Sequence, residues 1–329
     1  MKIAKYLSIS WVVASLLLLY PALANADTGN PKTNVHELDK VVQSDAPARN
    51  EKGAPLPLHT IEGTGGILIT PTAYLVNPGP KDQIFGLPSV SGTYINADQK
   101  NIEVFALTET LLQRVELGFS ASRFGTGSLR NSVLDAGGPD IRRDDVYLYN
   151  FNVRGLIIPE NSFNVPVPAI TAGISYKYND GIAQINNRLG GGLTNIGYKS
   201  NDGVDFTLTA SKTFPKVFDR PLLISAGVRL TEASQLGYVG FGDTYQATFE
   251  GNIAYNVTDW LWLAGEYRQK DNPYTRIGNL VRPEEDWYTV GLAFVPNNHI
   301  TITVGYGYFG NVLDTSEKTG VAAQVKYEF

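Results

Sequence analysis

The chain has 329 residues, a formal net charge of −5, 43% hydrophobic residues and no cysteine. Without cysteine there are no disulfides, thiolate metal sites or cysteine nucleophiles. The acidic balance argues against a nucleic-acid partner, which favours a basic surface.

Residues 1–26 read as a signal peptide. Lys2 and Lys5 give a positive start, Trp11 to Leu19 an apolar stretch, and Ala24-Asn25-Ala26 a small-residue cleavage site. The apolar stretch falls short of the ~20 residues a membrane helix needs, and Pro21 interrupts it. Residues 27–57 combine charge, Pro, Gly and Asn with almost no aromatic residues, and are expected to form a disordered periplasmic arm. Residues 58–86 form a Gly/Pro-rich segment. It is apolar over Ile67–Ile69, but Pro71 and the glycines weaken it as a regular central strand. Its core (61–78) is expected in the lumen or at its rim rather than as an extra wall strand, because a thirteenth strand would break the even count.

From residue 87 to Phe329 the chain alternates between polar and apolar in runs of about ten residues, the span of a tilted membrane strand. Ile300, Ile302, Val304, Tyr306 and Tyr308 share one face, against Thr301, Thr303, Gly305 and Gly307. Val321, Ala323, Val325, Tyr327 and Phe329 oppose Ala322, Gln324, Lys326 and Glu328. The pattern predicts an all-β fold, a transmembrane antiparallel β-barrel of about twelve strands, with fourteen possible. The twelve are 88–97, 100–109, 113–124, 145–157, 168–178, 203–213, 221–231, 244–256, 259–269, 286–295, 299–309 and 319–329. The connections sort into short and long sets that alternate strictly from Arg114 onward; Ala97–Lys100 is the one short connection on the long side. Short periplasmic turns and long extracellular loops explain the sorting. Tyrosines such as Tyr176, Tyr178, Tyr245 and Tyr288 fall at the long-loop ends, and Tyr255, Phe294, Tyr327 and Phe329 at the other. These are two aromatic belts.

The stretches HTIEGTGGILITPTAYLVNPGPK (59–81), DFTLTASKTFP (205–215), GFGDTYQATFEGNIAY (240–255) and TDWLWLAGEYRQKDNPY (258–274) resemble a proteobacterial outer-membrane barrel family of unknown function. The likeness runs from about residue 57 to the end. It implies a porin-like barrel in the cell outer membrane and supplies neither substrate nor catalytic residues. The ending Val325, Tyr327, Phe329 resembles the assembly signal of such barrels, which implies the barrel-assembly machinery as a partner beside outer-membrane lipids and lipopolysaccharide.

No cofactor or metal is expected. The three histidines, His36, His59 and His299, fall outside the predicted outer rim, so a histidine-based enzyme at the surface is not expected. Two acidic groupings, Asp140, Asp144 and Asp145 with Arg142 and Arg143, and Glu284, Glu285 and Asp286, read as solvated loop charge rather than cation sites. By strand parity the lumen carries Arg114, Glu116, Arg154, Lys177, Asp205, Arg229, Glu250, Glu266, Arg268 and Lys326. Asn150, Asn152, Gln246, Asn252 and Gln324 lie between them, and Trp260, Trp262 and Trp287 share the parity. Buried charges must pair or be hydrated. They form either a constriction selecting a small polar or anionic solute, or a salt-bridged network that fills the lumen. The first gives a narrow porin-like channel. The second gives a non-conducting structural or assembly partner of an envelope complex.

Overall fold

The side-chain alternation is realised as a wall. In a computed structural model, which describes residues 58–80 and 83–329, twelve antiparallel strands close on themselves. The expected signal peptide and arm lie outside the described residues. Two short strands come first, β1 (Leu58–His59) and β2 (Gly65–Gly66), which pair with each other and not with the wall, Gly66 also bridging Pro71. The wall begins with β3 (Ser89–Ala97), β4 (Lys100–Leu111), β5 (Val115–Gly125), β6 (Asp145–Ile158) and β7 (Ala169–Asp180). It continues through β8 (Asp202–Val217), β9 (Arg220–Ala233), β10 (Phe241–Thr258), β11 (Leu261–Arg268), β12 (Trp287–Phe294) and β13 (Ile300–Tyr308). A loop hairpin, β14 (Gly310–Val312) with β15 (Thr315–Glu317), precedes the last wall strand, β16 (Gly320–Glu328).

Each wall strand pairs with the next in sequence, and β16 closes the barrel against β3, from Gly320 opposite Ala97 to Glu328 opposite Ser89. The predicted strands match, with shifts at the ends. Strand β10 starts at Phe241, because Phe241 pairs with Ala233 and bridges Ser200 before a register shift to Gln246. The exterior is apolar: Val321, Val325, Ile302, Leu208 and Phe249 are exposed, while their inward neighbours Gln324, Lys326 and Thr303 are buried. Such a continuous apolar surface has no place in water; on a closed barrel it faces lipid. Tyr176, Tyr178, Tyr245, Tyr288 and Tyr306 are exposed toward the long-loop end, and Tyr327 and Phe329 toward the other. The protein is therefore an outer-membrane barrel.

Two loops carry short helices of seven residues, α1 (Leu129–Asp135) and α2 (Ile182–Arg188). The β14–β15 hairpin is tied down by Asp314, whose carboxylate accepts from Lys100 Nζ (2.7 Å), Ser128 Oγ (2.8 Å) and Ser132 Oγ (2.7 Å).

Candidate functional site

Residues 58–76 form a plug held by the inward-facing side chains of the wall. Nearly all of them are buried. Most of the polypeptide here is turn, so its backbone groups need partners other than a ladder. The wall supplies them. Glu116 accepts the amides of Gly65 and Val76 on its two oxygens, each at 2.9 Å. Glu266 Oε1 accepts three successive amides, Leu68, Ile69 and Thr70, at 2.9–3.0 Å, and the Thr70 hydroxyl at 2.8 Å. Arg154 donates to the carbonyls of Gly65 (2.6 Å), Thr72 (2.9 Å) and Tyr74 (3.1 Å), a fork that lysine lacks. Asn152, Asn252 and Gln324 donate to the carbonyls of Glu62, Pro71 and His59.

Close approach explains the glycines. A Cβ on Gly118 of the wall would lie 2.2 Å from the Gly63 carbonyl oxygen. Gly63 itself has φ +79°, a left-handed conformation that favours glycine.

Toward the long-loop side lies a buried ionic layer. The plug contributes Glu62. The wall contributes Lys177, Asp205, Arg229, Glu250 and Arg268. Lys177 Nζ lies 2.6 Å from both Glu62 and Asp205. Arg229 reaches Asp205 at 3.0 Å and both Glu62 and Glu250 at 3.2 Å. Arg268 meets Glu62 at 2.5 Å and Glu250 at 3.8 Å. Three carboxylates face three cations, so the layer is neutral, as groups this deeply buried require. The void beside it, lined by Lys177, Arg229, Thr248 and Arg268 among others, measures about 20 Å³, room for roughly one water. The turn Ser234–Gly237 lies above: Lys177 Nζ donates to the Leu236 carbonyl, and Asn179 Nδ2 to those of Gly237 and Tyr238.

Of the ten residues assigned to the lumen by parity, the structure gathers Lys177, Asp205, Arg229, Glu250 and Arg268 in the ionic layer. Glu116, Arg154 and Glu266 hold the plug. Lys326 pairs with Glu328 at 2.5 Å, buried in the wall's last strand. Arg114 lies in the turn between β4 and β5, half-buried, with Nη1 3.4 Å from the Leu156 carbonyl oxygen. Trp262 and Trp287 are buried, whereas Trp260 is exposed and stacks on Phe294 with centroids 6.0 Å apart. Val325, Tyr327 and Phe329 point outward.

Glu62 is the residue that parity could not place, because it belongs to no wall strand. Its signal was an isolated acid inside an otherwise apolar and glycine-rich run. His59 was also unassigned. Its ring nitrogens meet Ser91 Oγ at 2.9 Å and Thr108 Oγ1 at 2.8 Å. The serine–histidine distance suits a nucleophile and base, but both groups are fully buried beneath the plug's own backbone and the second nitrogen is engaged. The contact anchors the plug. His299 sits in a short turn and stacks on Tyr327, and His36 lies outside the described residues.

In the long loops, Asp140 is held by Arg130, whose Nε and Nη2 donate at 2.7 and 2.9 Å, and by the Arg142 amide at 2.8 Å. The Arg130 hydrogen bonds, then the Arg142 amide, pull its carboxyl down to about 2. A group lowered in this way favours the folded loop at neutral pH and loses that contribution as pH falls through about 2. A carboxyl-resolved NMR titration is expected to give a midpoint near 2, rising toward the ordinary ~3.9 in Arg130→Gln. An unchanged midpoint in that variant would show that Arg130 is not the cause. In the other acidic grouping, Glu284 pairs with Lys270 at 3.0 Å and accepts from Ser234 and the Gln235 amide.

Several solved barrels are similar in architecture. The KdgM porin superposes with a TM-score of 0.43 at 13% identity, covering 73% of this chain and 99% of that one. The Acinetobacter baumannii outer membrane protein Omp33 gives 0.41 at 10%, covering 75% and 100%. Outer membrane phospholipase A from Escherichia coli gives 0.35 at 11%, covering 73% and 89%. No curated protein matches the chain. The model of a family described as a protein of unknown function, DUF3034, matches residues 57–326. The chain belongs to the DUF3034 family.

Proposed function

We propose that the protein is a narrow porin-like channel for a small polar solute, held closed at rest by its own plug, and that it is not an enzyme. The observation carrying this reading is the ionic layer centred on Glu62. With the plug seated, the layer is neutral and buried. With Glu62 withdrawn, Lys177, Arg229 and Arg268 face only Asp205 and Glu250 across the lumen. That leaves a net-positive constriction, the lining that selects a small anion. A twelve-stranded barrel is intermediate in bore between filled eight-stranded barrels and open porins. It reaches the outer membrane through the barrel-assembly machinery, which reads Val325, Tyr327 and Phe329, and it sits among outer-membrane lipids and lipopolysaccharide.

In planar bilayers the full chain is expected to be silent for long periods. A chain lacking residues 58–80, and separately a full-length Glu62→Ala chain, is expected to show discrete, anion-preferring conductance. Strand content by circular dichroism verifies that each barrel is closed. Folded barrels of both variants that conduct nothing would sink the channel reading. That result would favour the alternative, a non-conducting structural or assembly partner of an envelope complex.

A further inference from the structure

The long-loop cap holds a second feature that the plug does not use. Side chains from α1 (Leu129, Val133), α2 (Ile182, Ile185) and the loop segment at Leu280 and Val281 line a cavity of about 180 Å³. Its lining is almost wholly apolar. Phe124 and Tyr238, which also line it, stack with centroids 5.0 Å apart at 24°. The Tyr238 hydroxyl turns away to Ser122 Oγ at 3.0 Å, toward the lumen wall. The neighbouring Tyr274 hydroxyl is spent on the Val239 carbonyl at 2.8 Å. Thr126, also on the lining, is 1% exposed and turns almost no surface to the cavity.

The size and the chemistry are both selective. A cavity of ~150 Å³ lined by Leu, Ile and Phe stays dry and takes up benzene, and this one is larger. A charged ligand would be buried there without a counter-ion, which excludes it. An uncharged, apolar ring meets no such penalty. The rim reaches solvent, since Ile277 lines the cavity and is 40% exposed. Gly190, Gly191 and Gly192, between the lining residues Leu189 and Leu193, include two positive-φ positions where a Cβ would touch nothing. That segment has both room and backbone freedom to let a ligand pass.

We propose that this cavity is an extracellular binding site for an uncharged, apolar single-ring aromatic molecule. The site is separate from the plug and stands whether or not the barrel conducts.

The test uses the full chain in lipid nanodiscs, with phenol, toluene and benzoate as probes and the methyl resonances of Ile182 and Ile185 as the readout. Toluene is expected to shift both methyls saturably, phenol more weakly, and benzoate to leave them unmoved. Val133→Trp fills the cavity and is expected to weaken toluene at least about tenfold, ~1.4 kcal/mol. Leu280→Trp, on the loop side, serves the same purpose should the helix variant misfold. Shifts that never saturate, or that persist in both filled variants, would mean partition into the bilayer only and would overturn the site. Benzoate binding as tightly as toluene would overturn the exclusion of charge.

Discussion

Glu62→Ala is expected to release the plug from the wall while the barrel itself stays closed. Removing this one carboxylate leaves Lys177, Arg229 and Arg268 in a buried layer with only two acids among them. Breaking a buried ionic cluster by deleting one partner costs about 3–5 kcal/mol, because the surviving charges stay desolvated. The cost falls on the plug–wall junction, since the barrel's ladders do not pass through Glu62. Protease cleavage within residues 60–78, supplied from the periplasmic side, is expected to become fast in Glu62→Ala and to be negligible in the parent. The double variant Glu62→Ala, Lys177→Met restores neutrality and is expected to recover part of the protection. Such non-additivity marks direct coupling. A plug equally protected in parent and single variant would show that the ionic layer does not hold it.

Glu266→Ala acts on the same plug by a different route. Three successive amides, Leu68 to Thr70, converge on one carboxylate oxygen, while Thr289 donates to the other at 2.6 Å. The segment has few alternative acceptors, because Ile67–Ile69 are buried and apolar. Each donor left unsatisfied costs about 1–3 kcal/mol. Hydrogen exchange is the direct readout. The amides of Leu68, Ile69 and Thr70 are expected to be strongly protected in the parent and to exchange orders of magnitude faster in Glu266→Ala. The Gly65 and Val76 amides, held by Glu116, are expected to keep most of their protection. Uniform loss across both groups would mean that the plug releases as a single unit.

Much of this architecture is legible from a period of two. The run Val321–Glu328 alternates without a break, and every residue placed inward by that alternation is buried. The same parity finds Glu116, Arg154 and the wall's share of the ionic layer, because a strand side chain has only two directions to take. Parity fails where there is no strand. Arg114 counts as inward only if β5 starts early, and it lies in a turn. Trp260 precedes a strand whose pairing is shifted between Asn256 and Thr258, so its parity does not carry over. The helices α1 and α2, seven residues each, are too short to declare a period. Their apolar residues are buried by the loops around them, which composition alone does not reveal. The partners of the inward charges were hidden for a related reason. They depend on which strands face one another across the lumen, and on a turn-rich segment whose path no local preference fixes.

The last bond of the plug lies furthest along the chain. The carbonyl of His59 is satisfied by Gln324 of β16, 265 residues later, and that same strand seals the wall against β3. The plug's docking site is therefore incomplete until the sheet has rolled shut around it. Near the start of the sequence, the plug must wait through the pairing of every intervening strand with part of its backbone unclaimed. Contacts of such separation make for slow, late consolidation. The sheet forms around a core it cannot fully grip until the final strand arrives, so burial of the plug is not complete before the wall closes.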